Sequence, residues 1–264
     1  MRVEVMTGGA DAGQLKVEAD DGTRRVGFPG DRIRYPPMEH GGSTTLHVDE
    51  DGTFDGDHRG TGRRVRISRD QGDFEAWADL RISVPAGRSV ELYLAVGRIA
   101  AANVNGRLRI EAAAAPVTVA GGKGDLPVST ASGDVTATDV ESPRLRTHTG
   151  SGDVVSIVAP PSTSARLDIE TGSGDIESDF PLAATRSGRH HLTGTIGDGR
   201  GRVSVGTGSG GVRLLRAKRA QASAQNSFFA AQQAPGHADC ICFRICGGMV
   251  GGNGSMPAPF FGSS

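Results

Sequence analysis

The sequence predicts an all-β fold: a β-solenoid, or parallel β-helix-like stack, of ~18-residue two-strand rungs, with irregular strands before it and a disordered tail after it. Three observations predict it. Apolar anchors recur at a fixed period, apolar and polar residues alternate around each anchor, and helical i, i+3, i+4 apolar spacing is scarce before residue 212. A flattened sandwich wound in the same way would show the same three features.

The period comes first, because a repeat misread as separate strands leads to the wrong architecture. Val90, Leu108, Leu126, Leu145, Leu167 and Val203 are each followed nine residues later by a second anchor: Ile99, Val117, Val135, Val154, Ile176 and Val212. Successive first anchors are separated by 18, 18, 19, 22 and 36 residues, and the extra residues of the 22 fall around Ala159-Pro160-Pro161-Ser162. Two residues after the first anchors stand Leu92, Ile110, Val128, Thr147, Ile169 and Val205, which is the period-2 inward face of a strand. One such unit cannot bury its apolar face alone, and stacking units at the ~4.8 Å strand spacing makes a continuous core.

The turns repeat too. Thr149-Gly150-Ser151-Gly152-Asp153-Val154 recurs as Thr171-Gly172-Ser173-Gly174-Asp175-Ile176 and Thr207-Gly208-Ser209-Gly210-Gly211-Val212, with a close copy at Ser132-Gly133-Asp134-Val135. Gly reaches positive φ without a Cβ clash, and Asp accepts local backbone N–H groups. Between Leu182 and Arg200 the pattern lapses, and His191 to Ile196 reads as a hairpin arm in place of a rung.

The organisation is then a single β-repeat domain over residues 2–216, with irregular strands at 2–85, regular rungs at 86–216 and an insertion near 183–200. An acidic loop at 49–57 lacks the ligand spacing of an EF-hand and reads as a solvated hairpin loop. After Arg216 the chain turns to Ala, Gln, Ser and Gly, so residues 219–264 read as a disordered low-complexity tail, with a helical stretch expected around Leu214 to Gln225. Deleting that tail is expected to leave the fold intact.

Composition narrows the function. Gly makes up 40 of 264 residues, about twice ordinary usage, in keeping with many turns. A net charge of −1 supplies no long-range field for nucleic acid, and no apolar run reaches the ~20 residues of a membrane span. Sugar-processing sites use stacking aromatics, and the region from Val90 to Val212 holds only Tyr93 and Phe180. The thiols Cys240, Cys242 and Cys246, near His237, match no usual zinc spacing.

The Thr-Gly-Ser-Gly-Asp-Val/Ile units, together with Ile82-Ser83-Val84-Pro85-Ala86-Gly87 leading into the first rung, resemble a bacterial β-strand-repeat family of adhesin-like domains of unknown function, over roughly residues 2–216. The resemblance implies a non-enzymatic domain at the bacterial cell envelope, in some members tied to envelope-stress signalling. It carries no catalytic residues. Many members begin with an export signal. Met1-Arg2-Val3-Glu4-Val5 is not one, so the resemblance implies the envelope only if a leader precedes this start, and the cytoplasm otherwise.

Four local patterns need weighing. Gly206-x-Gly208-x-x-Gly211 matches a dinucleotide fingerprint but is the last copy of the repeated turn. Asp134, Asp153 and Asp175 share one slot, where turn hydrogen bonds explain them better than a shared cation. His190 and His191 point to opposite sides of an extended chain, with no evident third ligand. Arg107, Arg144, Arg166 and Arg202 precede first anchors, and Arg109 and Arg146 lie two residues on, so one face carries guanidinium groups suited to carboxylates or phosphates.

The expected function is a structural or interaction module with a protein or anionic envelope polymer as partner, or with its own kind, and with no nucleic-acid role. An envelope-stress sensing domain for a membrane partner and a polysaccharide-processing β-helix enzyme are the alternatives. No catalytic, cofactor-binding or metal-binding residues are assigned from the sequence, and no cofactor is expected.

Overall fold

The computed structural model describes residues 1–20, 22–38, 42–49, 54–55, 62–140, 144–158, 164–216 and 239–252. Among the described residues there is no α-helix, only a 3-10 turn at Ala12–Gln14. The amino-terminal part supplies β1 (Arg2–Gly8), β2 (Lys16–Asp20), β3 (Thr23–Gly27), β4 (Arg32–Arg34), β5 (Ser43–Val48), β6 (Phe54–Asp55), β7 (Arg63–Ser68), β8 (Phe74–Glu75) and β9 (Trp77–Val84). The repeats supply β10 (Val90–Val104), β11 (Leu108–Ala114), β12 (Val117–Gly122), β13 (Leu126–Ser132), β14 (Val135–Val140), β15 (Arg144–Ser151) and β16 (Val154–Val158). They continue with β17 (Ala165–Thr171), β18 (Ile176–Ser178), β19 (Ala183–Ser187), β20 (His191–Ile196), β21 (Gly201–Ser209) and β22 (Val212–Arg216), and β23 is Asp239–Gly252.

Strands β4 to β8 form a small separate sheet in the order β6-β5-β7-β4-β8. Its buried residues include Ile33, Tyr35, Leu46, Val65, Ile67 and Phe74, with Phe28 edge-on to Phe74 at 6.3 Å. Most of the acidic loop 49–57 lies outside the described residues.

The repeats form a β-solenoid-like stack in two rows of parallel strands. In the first row Val90 pairs with Leu108, Leu126 with Leu145, and Leu145 with Val203. In the second, Ile99 pairs with Val117, Val117 with Val135, Val135 with Val154, and Val154 with Val212. Each anchor thus meets the equivalent anchor of its neighbour. All of them are buried except Ile176, which is half-buried because β18 pairs with β22 alone among the described residues.

The order of the repeats in space departs from their order in the chain. The last repeat sits between the fourth and the fifth: β21 pairs with β15 on one side and β17 on the other, and β22 lies between β16 and β18. The chain skips one position after β16, builds β17 and β18, reverses through the antiparallel β19–β20 hairpin against β17, and returns to fill the gap.

The turn motif holds the stack together between rungs, not only within each turn. The hydroxyls of Thr149, Thr207 and Thr171, all buried, donate to the carbonyls of Gly133, Gly152 and Gly210 in the turn of the spatially preceding rung. Gly152 has φ +144°, and a Cβ there would lie 2.5 Å from the Gly133 carbonyl oxygen, so this position needs glycine twice over. The Asp153 N–H donates to Asp134 Oδ1 at 2.9 Å, and the Gly211 N–H to Asp153 Oδ1 at 2.8 Å.

The expected tail needs correcting. Asp239–Gly252 is a strand inserted between β10 and the amino-terminal strands: it pairs antiparallel with β10 from Val90↔Gly252 to Ala102↔Cys240, and along its other edge with β9 and β3. Backbone edge pairing asks for extended chain and little else, so the Gly-rich composition that suggested disorder did not prevent it. Leu214 to Arg216, expected to open a helix, end strand β22 beside β16 instead. Residues 217–238 and 253–264 lie outside the described residues.

Candidate functional site

The outward face of the first row is where alternation places the polar residues. Along β15 the pattern runs exposed Arg144, buried Leu145, exposed Arg146, buried Thr147, exposed His148; along β17 it runs exposed Arg166, Asp168 and Glu170 around buried Leu167 and Ile169. The inserted strand β21 then determines which of these residues meet. Arg144 pairs with Arg202, and Arg202 with Arg166, so three exposed guanidinium side chains start from one register position on adjacent strands, ~4.8 Å apart. Arg146 lies two residues further along β15.

Arg107 and Arg109 stand apart from this group. They belong to the β11 repeat, and β13 intervenes with Asp125 and Pro127 at the equivalent positions. Asp125 lies 3.7 Å from Arg144 and marks the end of the arginine row. Arg109 is engaged by Glu111, its Nε donating at 2.9 Å. That hydrogen bond is the main cause that raises the Arg109 pKa above its ordinary value. Beside it, burial pushes the Tyr93 hydroxyl pKa up, with the Glu111 charge adding to the effect. At the β10–β11 end of the face Arg109 is thus held by Glu111 within a cluster that also contains Glu91 and Tyr93 and carries two carboxylates to one guanidinium, while the β15–β21–β17 region presents arginines outward.

The aspartate slot is also rearranged. Asp134 and Asp153 occupy neighbouring rungs, but Gly211 sits between Asp153 and Asp175, and the Asp134 and Asp153 carboxylates each accept an N–H from the next rung. The Gly206–Gly211 segment is the end of β21 followed by another strand, β22, in place of the helix that a dinucleotide turn needs. Cys240, Cys242 and Cys246 take register positions opposite Ala102, Ala100 and Val96 of β10, and His237 lies outside the described residues.

One grouping was not legible in the sequence, which left His191 without partners. His191, opposite Glu170 across the β17–β20 pair, has its Nδ1 3.3 Å from Glu170 Oε1, and Asp168, Glu170 and His191 each bring a ligand atom within 4.8 Å of the others. His190 points the other way, its Nδ1–H donating to the Gly174 carbonyl at 3.1 Å. The sequence offered His191 without its partners; what it could not show is that Asp168 and Glu170, spaced i, i+2 on one outward strand face, would lie across from it.

The model of the Toastrack DUF4097 family matches residues 78–215, more than half of the chain. The chain belongs to the Toastrack family. No curated protein and no solved structure matches it. The Toastrack span, narrower than the 2–216 expected from the resemblance, runs from β9 to β22, so the arginine row and the Asp168–Glu170–His191 group both belong to the family domain, whereas β23 lies beyond it. Toastrack is a β-repeat domain of unknown function. Among the described residues no helix is long and apolar enough to cross a membrane.

Proposed function

We propose that this Toastrack domain is a non-enzymatic, adhesin-like interaction module of the bacterial cell envelope, and that it binds an anionic envelope polymer across the arginine row. The observation that carries this reading is the alignment of Arg144, Arg202 and Arg166 on three adjacent strands, with Arg146 beside them. Guanidinium groups suit carboxylates and phosphates through paired N–H donors. A row running across the strands matches a linear polymer better than a single small anion. With a net charge of −1 the protein has little long-range pull, so contact at this face has to supply the affinity, and binding is expected to weaken steeply with salt.

The test is retention on immobilised polygalacturonate and on a polyglycerol phosphate, at low and at physiological salt. The wild-type chain is expected to be retained on at least one of them and the Arg144→Ser/Arg166→Ser/Arg202→Ser variant to elute freely, while Arg107→Ser behaves as wild type. Equal retention of wild type and triple variant would refute the reading.

A further inference from the structure

We propose that Asp168, Glu170 and His191 form a binding site for a divalent transition-metal ion, one that staples the β19–β20 hairpin to the last rung of the first row. The site uses none of the arginines of the row, although it shares strand β17 with Arg166. It arises from two simple features of the chain. Asp168 and Glu170 are two residues apart on β17, so the pleat sends both outward on either side of buried Ile169, and the antiparallel return of β20 sets His191 directly across from Glu170.

The ligand atoms of the three residues already lie within 4.8 Å of one another. Two donors held at about 2.1 Å from one ion can be at most about 4.2 Å apart, so small rotamer changes on an exposed face would close the site. The Glu170–His191 contact engages one of the two carboxylates. Arg166, two residues from Asp168 on the same strand face, has its Cγ 3.3 Å from the place a Gly199 Cβ would take.

The neighbouring strand brings no further charged side chain directly opposite the two carboxylates. Across from Glu170 and Asp168, β21 places only Gly206 and Ser204. On the far side of Gly206 the His148 imidazole leans over, its Nδ1 3.0 Å from where a Gly206 Cβ would stand. The glycine floor thus lies between a second imidazole and the Glu170 carboxylate. One imidazole nitrogen with two carboxylates suits zinc, cobalt or nickel, whereas calcium takes six to eight oxygens, which this face does not supply.

The test uses the full chain with Zn²⁺ and Co²⁺ as probes. The tail thiols are the rival ligands, and cobalt tells them apart, because thiolate ligation adds an intense sulfur-to-metal charge-transfer band that carboxylate–imidazole ligation lacks. The expected result is one ion per chain, a cobalt spectrum without the thiolate band, and a higher melting temperature on zinc addition. His191→Gln and Asp168→Asn should each weaken zinc binding at least about tenfold. Both positions are on the outward face, so far-UV circular dichroism should stay unchanged, and Glu170→Gln provides an independent third variant. Absence of zinc binding, a thiolate band, or affinity that survives all three substitutions would overturn the proposal.

Discussion

The two ends of the stack meet the same physical problem by different means. An end rung presents a row of unpaired backbone N–H and C=O groups, which invites aggregation unless something covers it. At the β10 end the cover is β23, which comes from the far carboxy-terminal part of the chain and pairs with twelve residues of β10 while β9 and β3 hold its other edge. At the β17 end the cover is β20, which follows β17 closely in sequence and lies against it as the inner arm of the β19–β20 hairpin. The second row ends more simply, in three-residue β18. A local hairpin closes at little entropic cost and can form with its own rung, whereas β23 has nothing to pair with until β9 and β10 are in place. One end is therefore self-contained, and the other depends on the rest of the fold.

The largest test of this difference is truncation after residue 238. Both β9 and β10 lose a partner, so the truncated chain should aggregate or melt without a cooperative transition, contrary to the tolerance that the composition of the tail suggests. A truncated chain that melts like the full one would show that β23 is dispensable.

Next in size, aspartate substitutions should map how deep each anchor sits. Ile169→Asp places an unpaired carboxylate at a fully buried position between β20 and β21 and should cost about 4 kcal/mol or more. Ile176→Asp, at the open end of the second row, should cost about 1–2 kcal/mol, and Arg144→Ser less than about 1 kcal/mol. Chemical denaturation measures all three, and equal losses would mean that the assigned register is wrong.

Gly152→Ala should cost about 3 kcal/mol, because the residue takes φ +144° against the Gly133 carbonyl, where an L side chain is strained as well as crowded. The same change at Gly13, which has open space around it, should be nearly neutral. Comparable melting temperatures for the two variants would remove the close-approach argument.

The smallest effect belongs to the aspartate slot. Asp153→Ala loses the bond from the Gly211 N–H and should cost about 1 kcal/mol, while Asp153→Asn keeps an accepting oxygen and should be close to wild type. Millimolar calcium should leave the melting temperature unchanged, since these carboxylates already accept rung N–H groups. A calcium-dependent rise that disappears in Asp153→Asn would reveal a cation site in place of rung-to-rung hydrogen bonding.

What the sequence by itself determined is local. Period-2 alternation marks which side chains of β11, β13, β15, β17 and β21 go inward, and the Thr-Gly-Ser-Gly-Asp units and their partial copies mark the turns, where Gly133, Gly152 and Gly210 take positive φ and a Thr hydroxyl or an Asp carboxylate reaches the adjacent rung. The outward placement of the arginines followed from the same alternation. The tertiary structure alone decided which rung lies beside which. The repeats carry nearly interchangeable apolar, Thr and Gly slots, so the register is equally satisfied with β17 or β21 next to β15, and the longer spacings after β16 and β18 give the chain length to take the second option. That choice brought Arg144, Arg202 and Arg166 into one row, separated Asp153 from Asp175, and set Gly206 with the His148 imidazole over it beside Glu170. The sequence marked His191–Ile196 as a hairpin arm, but which rung β20 would lie against, and the whole of β23, were illegible for a related reason: those pairings are made by backbone groups that every residue but proline carries, and backbone groups leave no pattern in a sequence.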